Sequence, residues 1–414
     1  MRTITLGLAG CGVVGGGLVH LLSSSAESLR SRHGVRVELV GILVRNVARD
    51  RGLSVDPSLF TDDVTEFLAA DADIVVEAIG GEEPARRIAQ ATLASGRRFI
   101  SANKEFISAF GTDLQTLAST NDGVLQFDAA VGGSVPIIRT IQSALGGNSP
   151  ASIKGILNGT SNFILTQLER GKSYECALAA ARERGLAEDD VSRDVDGRDA
   201  AAKLAILAWV AFGIPVGSVK PRTTGILPDP SRLVRAGAAV GGRVRLVAEC
   251  VALPGNRLTA VVEPVVVSPR GSFGQTVLED NRVEVDLGWG SPLSVSGPGA
   301  GGAPTATSLL SDILANASPL ARPIARNERA WVSVGDPRKH RWIIGADASP
   351  ELIVSCCSEA GVPVTDVLHQ AGDAYVTTGP SPTDRIDSVI ASLRNIDLKP
   401  LRARFEINES EVVS

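Results

Sequence analysis

The sequence predicts an α/β protein of three parts: a doubly wound parallel sheet, an α+β region with a mostly antiparallel sheet, and a small C-terminal βαββαβ module. Three observations support this fold class. Alternating strand and helix patterns fill residues 1–150 and open on a glycine-rich turn. The alternation ends at a Gly- and Pro-containing loop, after which longer strand runs follow. Residues beyond 338 repeat strand and helix patterns of their own.

The composition narrows the class of protein. A chain of 414 residues is long enough for two or three domains, and 44% hydrophobic with 21% charged residues is typical of a soluble globular protein. A net charge of −5 gives no electrostatic reason to bind nucleic acid or an anionic membrane. No apolar run approaches the roughly 18 residues of a membrane span. The five cysteines lack metal-ligand spacing, so we expect a cytoplasmic protein with reduced cysteines.

The first domain begins with a buried strand at 3–9 that runs into a glycine-rich loop and then an apolar helix pattern. Strand, glycine loop and helix in immediate succession are the context of a Rossmann dinucleotide-binding turn, in which the helix N-terminus offers N–H groups to a phosphate. A glycine-rich turn in another α/β protein is the alternative. The candidate cofactor residues are Gly10, Gly12, Val13, Val14 and Gly15.

The second strand, at 36–44, ends in Arg45. An acidic residue at this strand end would bind the ribose hydroxyls of NAD, whereas a guanidinium suits the 2′-phosphate of NADP. The sequence therefore favours NADP(H) over NAD(H). A solvated basic loop is the alternative.

Three further parallel strands are predicted at 73–81, 98–101 and 124–127. Lys104 follows the fourth strand, and ligands of open α/β sheets collect at the carboxyl ends of strands, so Lys104 is a candidate to reach cofactor or substrate. The fifth strand runs into residues 128–136, whose glycines predict a sharp loop lined with backbone carbonyls. A helix from Pro136 is expected to follow.

The second region opens with a strand at 151–157 and the segment 158–162, which leads into a helix ending near 169. The amides and hydroxyls of this segment, Asn158, Gly159 and Thr160 among them, either bind a carboxylate or cap the helix. A second helix is predicted at 175–184.

The stretch 185–207 concentrates carboxylates before a helix pattern that carries Lys203. Asp199 and Lys203 are four residues apart and share one helix face. Carboxylates such as Glu188, Asp194 and Asp199 suit an ammonium group, and a lysine beside them suits proton transfer to an oxygen. The alternative is a solvated loop followed by a helix with an ordinary Asp–Lys pair.

The remaining elements complete the predicted domains. Strand runs are expected at 258–267 and 281–287, and a second glycine loop at 297–307, containing Gly301, precedes a helix at 308–315. This loop either closes over the cofactor or is a plain interdomain turn. The predicted domains are a Rossmann domain at 1–150 completed by 301–317, a substrate and dimerisation domain at 151–300, a linker at 318–338, and a small βαββαβ domain at 339–414.

Several motifs occur together in a specific order: Gly10–Gly15, Ser101–Glu105, Val131–Ile138, Gly155–Asn162, Asp194–Lys203 and Gly297–Ala306. With these motifs the chain resembles homoserine dehydrogenases over nearly its full length. That family reduces L-aspartate 4-semialdehyde to L-homoserine with a nicotinamide nucleotide, on the route to threonine and methionine. Its members combine a Rossmann domain with a dimerisation region and a substrate domain, and many bacterial members add a C-terminal ACT domain.

The resemblance also implies roles for individual residues. Lys203 would donate the proton to the carbonyl oxygen, and Lys104 would lie beside the nicotinamide and the reacting group. Glu188 and Asp199 would hold the amino-acid end of the substrate with Asp194 close by. Arg45 and Gly301 would belong to the cofactor site. A monovalent cation, Na⁺ or K⁺, would be held at Asp128, Val131, Gly133 and Val135. A homodimer or homotetramer is implied as well.

The chain departs from the family pattern at three places. Asp128 stands where glutamate is usual, and Ser134 where glycine is usual, which puts cation ligation in question. The loop 346–352 lacks the Asp-x-Pro-Gly-Val turn of ligand-binding ACT domains. Two alternatives therefore stay open: a related dehydrogenase for another amino-acid semialdehyde, and a non-catalytic regulatory homologue that binds ligands. A thioester-forming dehydrogenase is disfavoured, because no cysteine lies near Lys203 in sequence.

Overall fold

The computed structural model describes residues 1–316, 331–370 and 373–406. Its strands are, in chain order, β1 (Arg2–Ala9), β2 (Val35–Leu43), β3 (Phe60–Thr61), β4 (Ile74–Glu77), β5 (Arg98–Ser101), β6 (Val124–Gln126), β7 (Ser152–Ile156), β8 (Arg222–Thr223), β9 (Arg243–Leu253), β10 (Arg257–Val267), β11 (Asp280–Asp286), β12 (Leu293–Pro298), β13 (Val332–Ser333), β14 (Lys339–Gly345), β15 (Val364–Gln370), β16 (Asp373–Thr378), β17 (Ser381–Pro382) and β18 (Leu401–Phe405).

Its α-helices are α1 (Val13–Ser24), α2 (Ala26–His33), α3 (Val64–Ala69), α4 (Ala85–Ala94), α5 (Lys104–Thr120), α6 (Ile137–Arg139), α7 (Gly159–Glu169), α8 (Tyr174–Glu183), α9 (Ser192–Val195), α10 (Arg198–Phe212), α11 (Pro230–Ala239), α12 (Ser272–Gln275), α13 (Gly302–Asn316), α14 (Pro350–Glu359) and α15 (Thr383–Asn395). A π-helical turn, Thr140–Ala144, continues α6. None of the helices in the described ranges is long and apolar enough to cross a membrane.

The chain divides into two compact units, each described by itself below. The first contains residues 1–150, 205–219 and 295–330, and the second contains 151–204, 220–294 and 331–414. The division assigns 205–219 to the first unit, whereas the sequence suggested the substrate domain for this segment. It also assigns the C-terminal residues to the same unit as the substrate region.

The first unit is built on a parallel sheet in the order β3-β2-β1-β4-β5-β6. Its strands pair in parallel throughout, for example with Ala9 of β1 beside Leu43 of β2 and Glu77 of β4. From β1 the strands follow in chain order to β2 and β3 on one side, and from β4 to β5 and β6 on the other. The switch point therefore lies between β1 and β4, and doubly wound sheets bind ligands at such a point. The predicted doubly wound parallel sheet of the first domain is confirmed. The two-residue strand β3 was not predicted, because so short a segment carries no periodic pattern.

Two helices of the first unit lie unusually close together. A Cβ atom on Gly17 of α1 would lie 3.1 Å from the carbonyl oxygen of Gly302 in α13. Further along α13, Leu309 and Ile313 join the buried core of β1 and α1. This packing makes the helix after the second glycine loop part of the nucleotide-binding unit.

The second unit is built on a mixed sheet that contains the order β11-β7-β9-β10-β18-β14-β16-β15. The long strands β9 and β10 pair antiparallel over their whole length. β18 pairs in parallel with β10, with Val265 beside Arg404, and antiparallel with β14. The C-terminal strands therefore continue the substrate-region sheet, whereas the sequence suggested a separate small domain.

The C-terminal elements run β14, α14, β15, β16, β17, α15 and β18, which is the predicted βαββαβ order with one added two-residue strand. Their own core includes Trp342, Ile353, Val376 and Leu393. Most of the predicted linker and the last residues of the predicted C-terminal domain lie outside the described residues. Helix α11 was not predicted, although Asp229 caps it and Pro230 occupies its first turn.

Candidate active site

The glycine loop after β1 has the geometry that a bound phosphate needs. Gly10 has φ of +96°, and a Cβ there would lie 2.5 Å from the carbonyl oxygen of Ala78. Gly12 is the N-cap of α1 and makes no side-chain cap, and no atom lies within 4 Å of the position of its missing Cβ. Space beside Gly12 is therefore open at the N-terminus of α1, where a helix suits a pyrophosphate.

The other predicted members of this loop serve its packing or lie at its surface. A Cβ on Gly15 would overlap the carbonyl of Gly10, so only glycine permits this close approach of helix and strand. Val13 is 80% exposed although it is apolar. Because the Val13 side chain is exposed, a ligand bound at the loop could cover it.

Arg45 lies two residues beyond the end of β2 and is exposed. The loop after it is held by Arg51, which donates from Nη1 to the carbonyl of Arg49 at 2.7 Å and from Nη2 to that of Asn46 at 2.8 Å. No described residue forms an ion pair with Arg45. Its guanidinium is thus available to an anion at the strand end, next to the glycine loop.

A buried hydrogen-bond network links the carboxyl ends of β4 and β5. Glu77 accepts from the Ser101 hydroxyl at 2.6 Å and from the backbone N–H groups of Ile79 and Gly80. The Asn103 side chain caps α5 and donates to the carbonyl of Gly81 at 2.7 Å. Burial raises the pKa of Glu77, although these hydrogen bonds oppose the rise. The network fixes the turn from which Lys104 projects.

Lys104 is the first residue of α5, where the helix dipole disfavours a cation. Its Nζ lies 3.4 Å from a carboxylate oxygen of Glu105, and its side chain is 30% exposed. A lysine held in this position at the carboxyl end of a parallel strand is placed to contact a ligand rather than to stabilise the helix.

The second glycine loop contacts the first within the same unit. A Cβ on Gly302 would lie 2.8 Å from the carbonyl oxygen of Val13, and Gly301 has φ of +115°. Of the two interpretations of this loop, the contact with the phosphate-binding turn favours the one in which it borders the cofactor.

The second unit brings four of the predicted substrate residues together. The Asn158 amide donates to Asp194 at 2.6 Å and to Asp199 at 2.8 Å. Its oxygen accepts from the N–H of Ser161 at 2.7 Å and so caps α7. Asn158 therefore both caps the helix and orients two carboxylates.

Lys203 is the cation of this substrate cluster, which we define as Asn158, Asp194, Asp199 and Lys203. Its Nζ lies 2.8 Å from Asp199 Oδ2 and donates to the carbonyl of Leu157 at 2.8 Å, and its side chain is 10% exposed. An ammonium has three N–H groups, and the third has no acceptor among the described residues. The two contacts fix Nζ and leave one donor free for a carbonyl oxygen.

Hydrogen bonds hold the acidic loop beside the cluster at two points, Leu186 and Asp189. The Thr160 hydroxyl donates to the carbonyl of Leu186 at 2.7 Å, and Arg182 donates to that of Asp189 at 2.9 Å. Glu188 lies between these points and is exposed, without a described contact to the cluster. Gly159 lies against the carbonyl of Glu279, where a Cβ would approach within 2.7 Å.

The carbonyl-lined loop of the first unit surrounds a buried ion cluster, defined as Asp128, Asp312 and Arg139. Asp128 accepts from the N–H groups of Ile138 and Arg139, and Asp312 accepts from the N–H of Asp128 at 3.1 Å. Arg139 pairs with Asp312 at 2.7 Å and lies 3.9 Å from Asp128. Burial raises the pKa of both carboxyls, proximity to Asp128 raises that of Asp312 further, and Arg139 opposes the rise.

These residues do not fit a monovalent cation well. The Asp128 carboxylate is turned to backbone N–H groups and to a guanidinium. The carbonyl of Gly133 accepts from Ser308 at 2.6 Å, and that of Val135 accepts from the N–H of Ile137. The cation at Asp128, Val131, Gly133 and Val135 stays a prediction, and no chemical step below depends on it.

Several residues that shape these sites were not predicted from the sequence. Glu77 has a recognisable signal, since it is an acidic residue at the end of an apolar strand before two glycines. The carbonyl of Leu157 and the pairing of Arg139 with Asp312, 173 residues away, have none. Such contacts depend on tertiary structure alone.

Comparisons with known proteins agree with this geometry. Residues 10–128 match the family model described as homoserine dehydrogenase, NAD binding domain, and residues 136–314 match the homoserine dehydrogenase model. The chain is 37% identical over 320 residues to the homoserine dehydrogenase of Mycobacterium leprae, covering 76% of this chain and 72% of that one. It is 32% identical to that of Bacillus subtilis, covering 76% and 73%.

A solved structure extends the likeness to the C-terminal module. The homoserine dehydrogenase of Thiobacillus denitrificans superposes with a TM-score of 0.85 at 28% identity, covering 98% of this chain and 99% of that one. The extent of these matches, together with the nucleotide-binding turn and the substrate cluster, shows that the chain belongs to the homoserine dehydrogenase family.

Proposed function

We propose that this homoserine dehydrogenase reduces L-aspartate 4-semialdehyde to L-homoserine with NADPH, and that Lys203 donates the proton to the carbonyl oxygen. The observation that carries the proposal is the position of Lys203 Nζ, which is held by Asp199 and by the carbonyl of Leu157 with one N–H left over. A bound nicotinamide nucleotide supplies the hydride.

Reduction of an aldehyde builds negative charge on its oxygen. A fixed ammonium beside that oxygen stabilises the charge and then transfers a proton to it, and Asp199 holds the ammonium in place. Because Asn158 donates to the same Asp199 oxygen, the carboxylate cannot rotate away without losing two partners. Lys203 is thus preorganised before substrate arrives.

The amino-acid end of the substrate carries an ammonium and a carboxylate. The substrate cluster holds two carboxylates and one ammonium, so it carries excess negative charge that suits the substrate ammonium. Glu188, on the acidic loop, adds a third carboxylate. The N-terminus of α7, where Gly159 and Thr160 begin the helix, suits the substrate carboxylate.

The preference for NADPH rests on Arg45. The guanidinium is exposed at the end of β2, no described residue pairs with it, and no acidic residue stands at that strand end to accept from ribose hydroxyls. Lys104, Gly301 and the first glycine loop complete the proposed nucleotide site. The expected homodimer or homotetramer stays a prediction.

The experiment is to follow NADPH oxidation with L-aspartate 4-semialdehyde, alongside NADH and a panel of other amino-acid semialdehydes. We expect turnover with L-aspartate 4-semialdehyde to exceed that with the other aldehydes, and NADPH to be preferred. A better substrate in the panel would identify a related dehydrogenase. Absence of turnover from folded protein that binds NADPH would contradict the catalytic proposal and favour a regulatory homologue.

A further inference from the structure

Glu77 is a buried carboxylate in the middle of the parallel sheet of the first unit, and the proposed proton transfer does not use it. It is the last residue of β4 and lies beside Ala9 of β1 and Ser101 of β5. None of its surface is exposed. Among the described residues, no lysine, arginine or histidine forms an ion pair with it. Burial of a carboxylate without a cation is costly, so stability does not explain this charge.

The contacts of Glu77 favour the ionised carboxylate. Its Oε1 accepts from the backbone N–H groups of Ile79 at 2.8 Å and Gly80 at 3.2 Å, and these groups can only donate. Its Oε2 lies 2.6 Å from the Ser101 hydroxyl, whose oxygen itself accepts from the N–H of Asn103 at 3.0 Å. Although burial raises the pKa of Glu77, three donors on one carboxyl group oppose that rise and stabilise the charge.

Hydrogen bonding alone does not require a charge at this position. A glutamine has nearly the same shape and would accept from the same two N–H groups through its amide oxygen, at a lower cost of burial. The protein instead keeps a carboxylate, which adds a negative charge that no described side chain neutralises. This charge therefore suits a positive group that the first unit itself does not supply.

The turn after Glu77 borders the nucleotide-binding loop. A Cβ on Gly10 would lie 2.5 Å from the carbonyl oxygen of Ala78. Gly80 and Gly81 follow with φ of +80° and +79°, and no atom beyond their chain neighbours lies within 4 Å of either missing Cβ. Open space therefore lies beside the segment that Glu77 holds through hydrogen bonds.

The position of β4 in the sheet indicates which part of the nucleotide is nearest. In a doubly wound sheet each half binds one mononucleotide, and the halves meet at the switch point between β1 and β4. Arg45, the proposed partner of the 2′-phosphate, follows β2 in the half that contains β1. The half that begins with β4 and contains Lys104 is therefore on the nicotinamide side, and Glu77 ends its first strand.

A nicotinamide ring carries one positive charge after it has given up a hydride and none before. We propose that Glu77 supplies a fixed negative charge that favours the oxidised, cationic nicotinamide over the reduced, neutral one. A carboxylate surrounded by protein acts over a longer distance than one in water. Because the same positive charge develops on the ring during hydride donation, Glu77 also assists aldehyde reduction. This inference rests on the proposed use of a nicotinamide nucleotide.

The test is calorimetric titration of the full chain with NADP⁺, NADPH, NAD⁺ and NADH, for the wild-type protein and for Glu77→Gln. We expect the ratio of Kd for NADP⁺ to Kd for NADPH to rise about tenfold in the variant. The ratio for NAD⁺ and NADH should rise equally, because the members of each pair differ only at the nicotinamide ring. Binding with both ratios unchanged would overturn this inference alone. Failure of the wild-type protein to bind any of the nucleotides would contradict the proposed function as well.

Two further variants separate the charge from the structure. Glu77→Asp keeps the charge on a shorter side chain, so we expect its ratio to stay within about twofold of wild type even if both affinities fall. Asp73→Asn is the matched control, because Asp73 precedes the other end of β4, about 13 Å away along the strand, and accepts from the N–H of Thr5. Its ratio should equal that of wild type.

Two results would assign Glu77 a purely structural role and overturn the proposal. One is equal weakening of all four nucleotides in Glu77→Gln. The other is a change of the ratio in Glu77→Asp as large as that in Glu77→Gln, because the charge would then be irrelevant. The second result remains decisive if Glu77→Gln does not fold, since a tenfold rise of the ratio in Glu77→Asp alone, about what loss of the charge should cause, contradicts the proposal.

Discussion

Two buried clusters in this enzyme each place two aspartates around one cation, and the cation differs. In the substrate cluster Lys203 faces Asp199, with Asp194 joined through Asn158. In the ion cluster Arg139 faces Asp312 and Asp128. Arginine keeps its charge at any accessible pH and holds carboxylates with a rigid fork, whereas lysine can release a proton and keeps one N–H free. We therefore propose that the same formal charges serve chemistry in one unit and loop structure in the other.

The two clusters also differ in their contacts with the backbone. Asp128 accepts from two backbone N–H groups and Asp312 from a third, so the ion cluster joins three chain segments. The substrate cluster is joined by side-chain contacts, with the carbonyl of Leu157 and the N–H of Ser161 as its backbone partners. We expect mutations in the ion cluster to lower stability and mutations in the substrate cluster to lower turnover.

Lys203→Met is expected to have the largest effect. Removing the proton donor should lower kcat by about 10²–10⁴-fold, the usual contribution of a general acid. NADPH binding, measured by fluorescence titration, should be unchanged, because the glycine loop belongs to the other unit. The exposed Lys172→Met is the control and should retain wild-type kcat. Wild-type turnover in Lys203→Met would overturn the catalytic assignment.

Arg139→Met should act on stability instead. An exposed ion pair contributes up to about 1 kcal/mol to the free energy of unfolding, whereas breaking a buried pair costs about 3–5 kcal/mol. Because Arg139 is half-buried, we expect the free energy of unfolding to fall by roughly 2–3 kcal/mol. Urea unfolding measures this loss, with the exposed Arg32→Met as control. A stable Arg139→Met variant with greatly reduced kcat would contradict the structural role.

Arg45→Gln should have a smaller and more selective effect. Loss of a charged contact with the 2′-phosphate should lower kcat/KM for NADPH by about tenfold and leave that for NADH nearly unchanged. The ratio of the two values in one preparation is the measurement, and NADH serves as the internal control. An unchanged ratio would assign the preference to other residues.

Replacing sodium or potassium by choline at constant ionic strength should have no effect on kcat, because Arg139 already supplies a positive charge beside Asp128. Asp128→Glu, which restores the residue usual in the family, is the matched variant. If sodium raised kcat of the Asp128→Glu variant alone, the shorter carboxylate of Asp128 would be the reason that the wild-type enzyme does not respond to sodium. Stimulation of the wild-type enzyme would show that a cation binds in this loop after all.

The sequence predicted these two clusters to different degrees. Asp199 and Lys203 were recognised because their spacing places them on one helix face, and Asn158 because helix caps have a sequence signature. Asp128 was recognised by resemblance only. Its partner Asp312 lies on a helix 184 residues further along the chain, and no local pattern connects them.

The fold shows the same limit. Elements such as β1, β10 and α8 were predicted within a residue or two, because burial of their side chains imposes an apolar run or a periodic pattern on the sequence. The continuation of the substrate-region sheet through β18 was not, because strand pairing between distant segments leaves no periodic trace.

The central claim is that lysine serves chemistry and arginine serves structure, and exchanging the two cations tests it most directly. Lys203→Arg keeps a charge beside Asp199 but removes the proton donor, so we predict a folded protein whose kcat falls at least about 10²-fold. Arg139→Lys should retain kcat within a few fold and lose a little stability. Wild-type turnover in Lys203→Arg would contradict the account, because a permanent charge would then be enough for the reaction.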